Sequence, residues 1–175
     1  MSASIHPANA ALVTALLKPY LKEGAQVLDP FCGVGTMLIE RARVLKAGYM
    51  YGVDIYANAI EKARVNAEAA EVDINFITRD FFDFHHKYLF DEIITNMPTV
   101  TGTKSKGEIM ELYERFLHKA PGMLAVGGIM AIYTTEEGIL QRCLKKCDFI
   151  EVLKRWTVRE KEGSVLYVLQ LENER

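Results

Sequence analysis

Cysteine is scarce in this 175-residue chain: Cys32, Cys143 and Cys147 form an odd set with no disulfide pattern. That excludes a small disulfide-stapled secreted domain and favours a reducing compartment. Cys143 and Cys147 can stand one helical turn apart, but no histidine or third cysteine lies nearby to complete a zinc site, so no metal is expected. No run approaches the roughly 18 apolar residues of a membrane span. The first residues, "MSASIHPANA", lack the basic start and apolar stretch of a secretory signal. A cytoplasmic protein without membrane attachment is the expectation. An excess of one charge is also missing. With 21 Lys and Arg against 23 Asp and Glu, the net charge of −2 argues against gripping nucleic acid by charge alone. Repeats, low-complexity tracts and Pro/Gly/Ser linkers are absent, so residues 1–175 read as one domain.

Apolar runs alternating with helix-period segments fill the chain. The spacing predicts helices over 9–21, 36–46, 57–71, 106–119 and 136–147. Strands are predicted at "AQVLD", "YMYGVD", "INFIT", "FDEIITN" and "GGIMAIYT", and "FIEVLKRWTV" with "SVLYVLQLE" makes a closing hairpin. The expectation is an α/β fold, doubly wound around a mostly parallel seven-stranded sheet with an antiparallel C-terminal hairpin. Such sheets bind ligands outside the carboxyl ends of the strands, where strand order reverses. The first strand ends there in "LDPFCGVGTMLIE".

Three ligands compete for that glycine turn. A Walker loop ends in Gly-Lys-Ser/Thr, whereas Gly35 is followed by Thr36 and Met37. The dinucleotide fingerprint G-x-G-x-x-G/A is met at Gly33 and Gly35, but Leu38 fills the third position, where close packing favours a small side chain. Asp29 decides between the rest: a carboxylate there repels a pyrophosphate and suits the ammonium of a methionine moiety. Asp54, ending the second strand, can accept both ribose hydroxyls, and the Gly33–Gly35 backbone can press on the ligand. Together these describe S-adenosylmethionine. Asp80, after the third strand, can accept from the adenine amine with Phe81 against the ring, or can simply cap a turn.

The same residues resemble a family. "DPFCGVGTMLIE" closely resembles the first motif of class I S-adenosylmethionine-dependent methyltransferases that modify guanine N2 or other exocyclic amines in tRNA and rRNA, specifically the catalytic domain of the THUMP-associated (UPF0020-like) enzymes. "GVDIYANAIEKARVNAEAA" is similar to their second motif, and "IHPANAALV" to the segment before the first strand. The resemblance implies a Rossmann-like fold and a cofactor contact set of His6, Pro7, Asp29, Phe31, Cys32, Gly33, Gly35, Thr36, Asp54, Ile55, Asp80, Phe81 and Asn96. In the fourth motif, "NMPT", Asn96 and Pro98 match, Met97 is an apolar variant, and Thr99 replaces an aromatic residue. Asn96, Met97 and Pro98 are the expected catalytic residues: the Asn96 oxygen and a backbone carbonyl beside Pro98 would accept from a planar NH₂ and aim its lone pair at the methyl group.

A flipped base normally stacks on the missing aromatic, for about 1–3 kcal/mol. Phe31, Tyr113 and Trp156 are the alternatives. Thr99, with Lys104 and Lys106 in the loop "GTKSKGE", is assigned to substrate binding. Cys32 reads as a small packed residue rather than a nucleophile. The expected function is methylation of guanine N2 in tRNA or rRNA. RNA capture would rest on an additional RNA-binding domain or a partner, because this domain is near neutral and many members of the family it resembles carry such a domain ahead of the catalytic one. Methylation of adenine N6 or of a protein glutamine amide, or cofactor binding with little turnover, are the alternatives.

Overall fold

His6 and Pro7 start the first helix two residues before apolar spacing predicts it. The His6 ring accepts from the Ala8 N–H at 3.1 Å, and Pro7 takes the first helical position, where a missing N–H costs nothing. The computed structural model describes residues 4–172. In chain order α1 (Pro7–Leu17) leads into β1 (Ala25–Asp29), α2 (Thr36–Val44), β2 (Ala47–Asp54), α3 (Ala57–Ala69), β3 (Asn75–Thr78), β4 (Phe90–Asn96), α4 (Lys106–Lys119), β5 (Leu124–Thr134), α5 (Glu137–Leu144), β6 (Ile150–Arg159) and β7 (Ser164–Leu171).

The seven strands form one sheet in the order β3-β2-β1-β4-β5-β7-β6. The first five are parallel, while β7 inserts antiparallel between β5 and β6. The predicted mixed sheet with its terminal hairpin is therefore present. Period-two alternation divides the core between its faces. Val27 and Ile94 pack with Val13, Leu17, Leu38 and Ile60; Leu28 and Ile93 pack with Tyr113, Phe116 and Ile139. The α4 boundary is set by a capping box, with Ser105 accepting from the Glu108 N–H and Glu108 accepting from the Ser105 N–H.

A buried ion pair locks the amino end of the sheet. Arg41, on α2, is fully buried, and its Nε donates to Glu92 Oε1 at 2.7 Å. Nη2 reaches Glu92 Oε2 at 3.1 Å, and Nη1 donates to the Leu45 carbonyl at 2.6 Å. The Lys22 N–H also donates to Glu92. At the opposite end, β1 and β4 lie side by side although their connections leave in opposite directions. This is the switch point, and the crevice beyond it holds the candidate site. Among the described residues no helix is long and apolar enough to cross a membrane.

Candidate active site

β1 ends at Asp29 and its neighbour β4 at Asn96, so both residues open onto one small cavity of about 30 Å³. A larger cavity of about 270 Å³ shares Ser4, Phe31, Gly33 and Val34 with it and runs past Asp54, Ile55, Asp80 and Phe81 to Pro98 and Lys104.

Asp29 is 1 % exposed. Its Oδ1 accepts from the Phe31 N–H at 3.1 Å and from the Thr95 hydroxyl at 2.6 Å. Burial raises its pKa to about 7; those two hydrogen bonds hold it down, and the nearby Asp54 charge pushes it further up. Asp54 fastens the glycine turn to β2. Its Oδ2 accepts from the Gly33 N–H and its Oδ1 from the Tyr56 N–H, each at 2.9 Å. The turn is further closed by Cys32 N–H to the Val53 carbonyl and Gly35 N–H to the Cys32 carbonyl, both 2.9 Å.

Two glycines in the turn have different reasons to be glycine. Gly33 has a positive φ of 52° and borders both cavities, and a Cβ there would meet no protein atom within 4 Å. Its missing side chain is therefore open space. Gly35 has φ of 86° and caps α2, and a Cβ there would stand 3.0 Å from the Phe76 ring. Gly35 lines neither cavity; it lets the turn pack. Cys32 is buried, and burial pushes its thiol pKa up, so it stays protonated.

Asp80 caps a turn, as the sequence allowed, and borders the cleft. Its Oδ1 caps the turn beginning at Phe81 by accepting from the Phe82 N–H at 2.9 Å, and the residue also lines the larger cavity. Lys119 secures that turn from below, donating to the Phe81 and Phe84 carbonyls at 2.6 and 2.7 Å. Phe81 is buried edge-on to Phe31, with ring centroids 5.7 Å apart.

The fourth motif is pinned from behind. The fully buried Tyr113 donates its hydroxyl to the Pro98 carbonyl at 2.8 Å and lies 2.7 Å from Thr134 Oγ1. Thr134 in turn accepts from the Glu136 N–H, and the Glu136 carboxylate accepts from the Val100 N–H at 3.0 Å. Residues on both sides of Thr99 are thus tied down. Met97 donates its N–H to the Tyr133 carbonyl and buries its side chain in the core.

The structure gathers Asp29, Phe31, Cys32, Gly33, Thr36, Asp54, Ile55, Asp80, Phe81, Asn96, Pro98 and Lys104 around the two cavities. His6, Pro7, Gly35, the Met97 side chain, Thr99 and Lys106 line neither; Ser4 and Ile5 stand where His6 and Pro7 were expected. The reason for Lys106 is the capping box, which makes it the first residue of α4 and turns it toward a separate groove with Glu136, Glu137 and Arg142. Of the rings able to replace the aromatic missing at Thr99, Phe31 lines both cavities. Tyr113 is committed to Pro98, and Trp156 packs edge-on against Tyr20 at 6.0 Å. Lys62, Arg79, Leu112 and Arg115 also line the larger cavity and were missed. Only Arg79, adjacent to Asp80 at a strand end, carried a local signal.

Comparison with known proteins gives four relations. Residues 3–162 match the UPF0020 family, described as an RMKL-like methyltransferase domain. The chain is 34% identical over 114 residues to a tRNA (guanine(10)-N2)-dimethyltransferase of Methanothermobacter thermautotrophicus, covering 64% of this chain and 33% of that protein. It is 31% identical over 169 residues to a ribosomal protein L11 methyltransferase of Dictyoglomus turgidum, covering 96% of this chain and 51% of that protein. Among solved structures, TrmN from Thermus thermophilus superposes with a TM-score of 0.77 at 27% identity, over 95% of this chain and 52% of that one. The chain thus spans between a third and about half of the lengths of these relatives.

Proposed function

Because this chain belongs to the RMKL-like methyltransferase domain family, we propose that it transfers a methyl group from S-adenosylmethionine to an exocyclic amine of a base in RNA, guanine N2 in tRNA or rRNA. The observation that carries this reading is the meeting of Asp29, Asp54, Asp80 and Asn96 at two adjoining cavities outside the carboxyl ends of the strands. The name of the M. thermautotrophicus relative supports the choice of guanine N2.

The residues present fit the cofactor. Open space beside Gly33 leaves room for a ligand against the backbone. Asp29 would face the ammonium, Thr36 at the start of α2 the carboxylate, Asp54 the ribose hydroxyls and Asp80 the adenine amine, with Ile55 and Phe81 beside the ring. When bound, S-adenosylmethionine supplies an electrophilic methyl group on a sulfonium. The chain's own work is positioning. An exocyclic base amine is a poor nucleophile because its lone pair is delocalised into the ring. The Asn96 side-chain oxygen and one backbone carbonyl would accept its two hydrogens and turn the lone pair outward. That carbonyl lies beside Pro98, which lines the larger cavity and whose own carbonyl Tyr113 holds in place. No strong base is required, because the methylated nitrogen loses its proton readily. Orientation and exclusion of water account for the rate, for which about 7–11 kcal/mol is accessible in well-aligned reactions. Much of the RNA capture would fall to a further domain or partner, because the chain's net charge is −2.

Incubation with methyl-labelled cofactor and unmodified RNA, followed by digestion to nucleosides, tests this. Label in N2-methylguanosine is expected; label in a nucleoside without an exocyclic amine overturns it. The L11 methyltransferase relative favours a second reading, an amine or amide of a ribosomal protein as acceptor. Label in the ribosomal protein fraction and none in RNA selects that one.

A further inference from the structure

Four cations border the larger cavity, each from a different stretch of chain: Lys62 on α3, Arg79 after β3, Lys104 in the loop before α4, and Arg115 on α4. Among the described residues, ion pairs engage Lys22, Arg41, Arg43, Lys146 and Arg155 and leave these four without an acidic partner. Arg115 instead lies over the Phe82 ring, its guanidinium carbon 3.9 Å from the centroid, a contact that holds the planar donor fork in one orientation. S-adenosylmethionine gives these charges no purpose. It carries two positive centres against one carboxylate, and its recognition here rests on acids. Four unpaired cations around that ligand would repel it unless a polyanion lay across them. In a chain of net charge −2 this concentration is local rather than a property of the whole surface.

We propose that Lys62, Arg79, Lys104 and Arg115 form a track for the phosphodiester backbone of the RNA strand that delivers its base to the cleft. The proposal rests on the RNA reading above and adds Lys62, Arg79 and Arg115 to the expected Lys104. Arginine offers a fork that matches phosphate oxygens, and lysine a point charge. All four cations line the cavity that Pro98 also lines, which puts a strand held by them at the same cleft as the fourth motif.

Salt dependence reads the number of phosphates neutralised. For single strands, log Kobs falls with log[salt] at about −0.7 per contact, so four contacts give a slope near −3. Fluorescence anisotropy of a labelled single-stranded oligouridylate should show that slope for the wild-type protein. Lys62→Gln with Arg79→Gln should bring it to about −1.4, and replacing all four cations should flatten it. Lys18→Gln with Lys145→Gln removes the same charge away from the cleft and should leave the slope unchanged; circular dichroism of each variant establishes that it is folded. The proposal is overturned if the quadruple variant keeps the wild-type slope, if the remote pair lowers it equally, or if the wild-type protein does not bind the oligonucleotide. Calorimetric titration of the wild-type protein with S-adenosylhomocysteine reads the cofactor assignment separately. Binding there without RNA binding removes the track and leaves the cofactor site standing. Absence of both removes the functional reading itself.

Discussion

Raising the pH from about 6 to about 8 should tighten S-adenosylhomocysteine binding roughly tenfold, through Asp29. Its buried carboxyl has a pKa near 7 in the free protein. Roughly one tenth of molecules therefore carry the charge at the lower pH and nine tenths at the higher. The ligand's ammonium requires the charged form, so binding lowers that pKa and releases a proton wherever the free protein still holds one. Calorimetry in two buffers of different ionisation enthalpy should show nearly one proton released per ligand at about pH 6 and almost none at about pH 8. Methylthioadenosine, which keeps the adenosine and thioether but lacks the amino acid end, should bind without this pH dependence. Asp29→Asn should remove it for S-adenosylhomocysteine as well. The free protein carries the converse cost. A carboxyl raised from 3.8 to about 7 ionises first in the unfolded chain, so stability is lost as pH climbs through that window, by about 4 kcal/mol in total. A flat affinity across the range, or proton uptake on binding, would refute the assignment of Asp29 to the ammonium.

Asp54→Ala should weaken S-adenosylhomocysteine by about 10- to 150-fold, from losing charge-assisted hydrogen bonds of about 1.5–3 kcal/mol, read by the same titration. It should also lower the melting temperature, because the Gly33 and Tyr56 N–H groups lose their acceptor. Arg41→Met leaves Glu92 buried without its partner and should destabilise the fold by about 3–5 kcal/mol in urea unfolding, whereas Arg41→Met with Glu92→Met should recover most of the loss. Tyr113→Phe strips the donor from the Pro98 carbonyl. Methyl transfer should fall while cofactor affinity holds, and a parallel drop in both would assign Tyr113 to general stability instead.

Much of this was legible because the decisive signals are local. Asp29 and Asp54 end their strands beside a glycine turn, and period-two and helix-period patterns placed β1, β4 and α4 at their observed bounds. Misplacements have local causes too. The paired glycines at 127 and 128 suggested where β5 begins, but a bulge with Gly127 at φ of 76° carries the strand back to Leu124. Lys104 and Lys106 look equivalent until the Ser105–Glu108 cap turns one away. The remaining cations were hidden for another reason. Lys62, Arg79 and Arg115 lie far from one another in sequence and meet only when α3, the end of β3 and α4 close around the same cleft.

A crystal structure with S-adenosylhomocysteine tests the central claim most directly. The account predicts both ribose hydroxyls within about 3 Å of the Asp54 carboxylate, the ammonium turned to Asp29, and the sulfur facing Asn96. A ligand seated away from Asp29 and Asp54, or a cleft closed by the chain's own side chains, would contradict it.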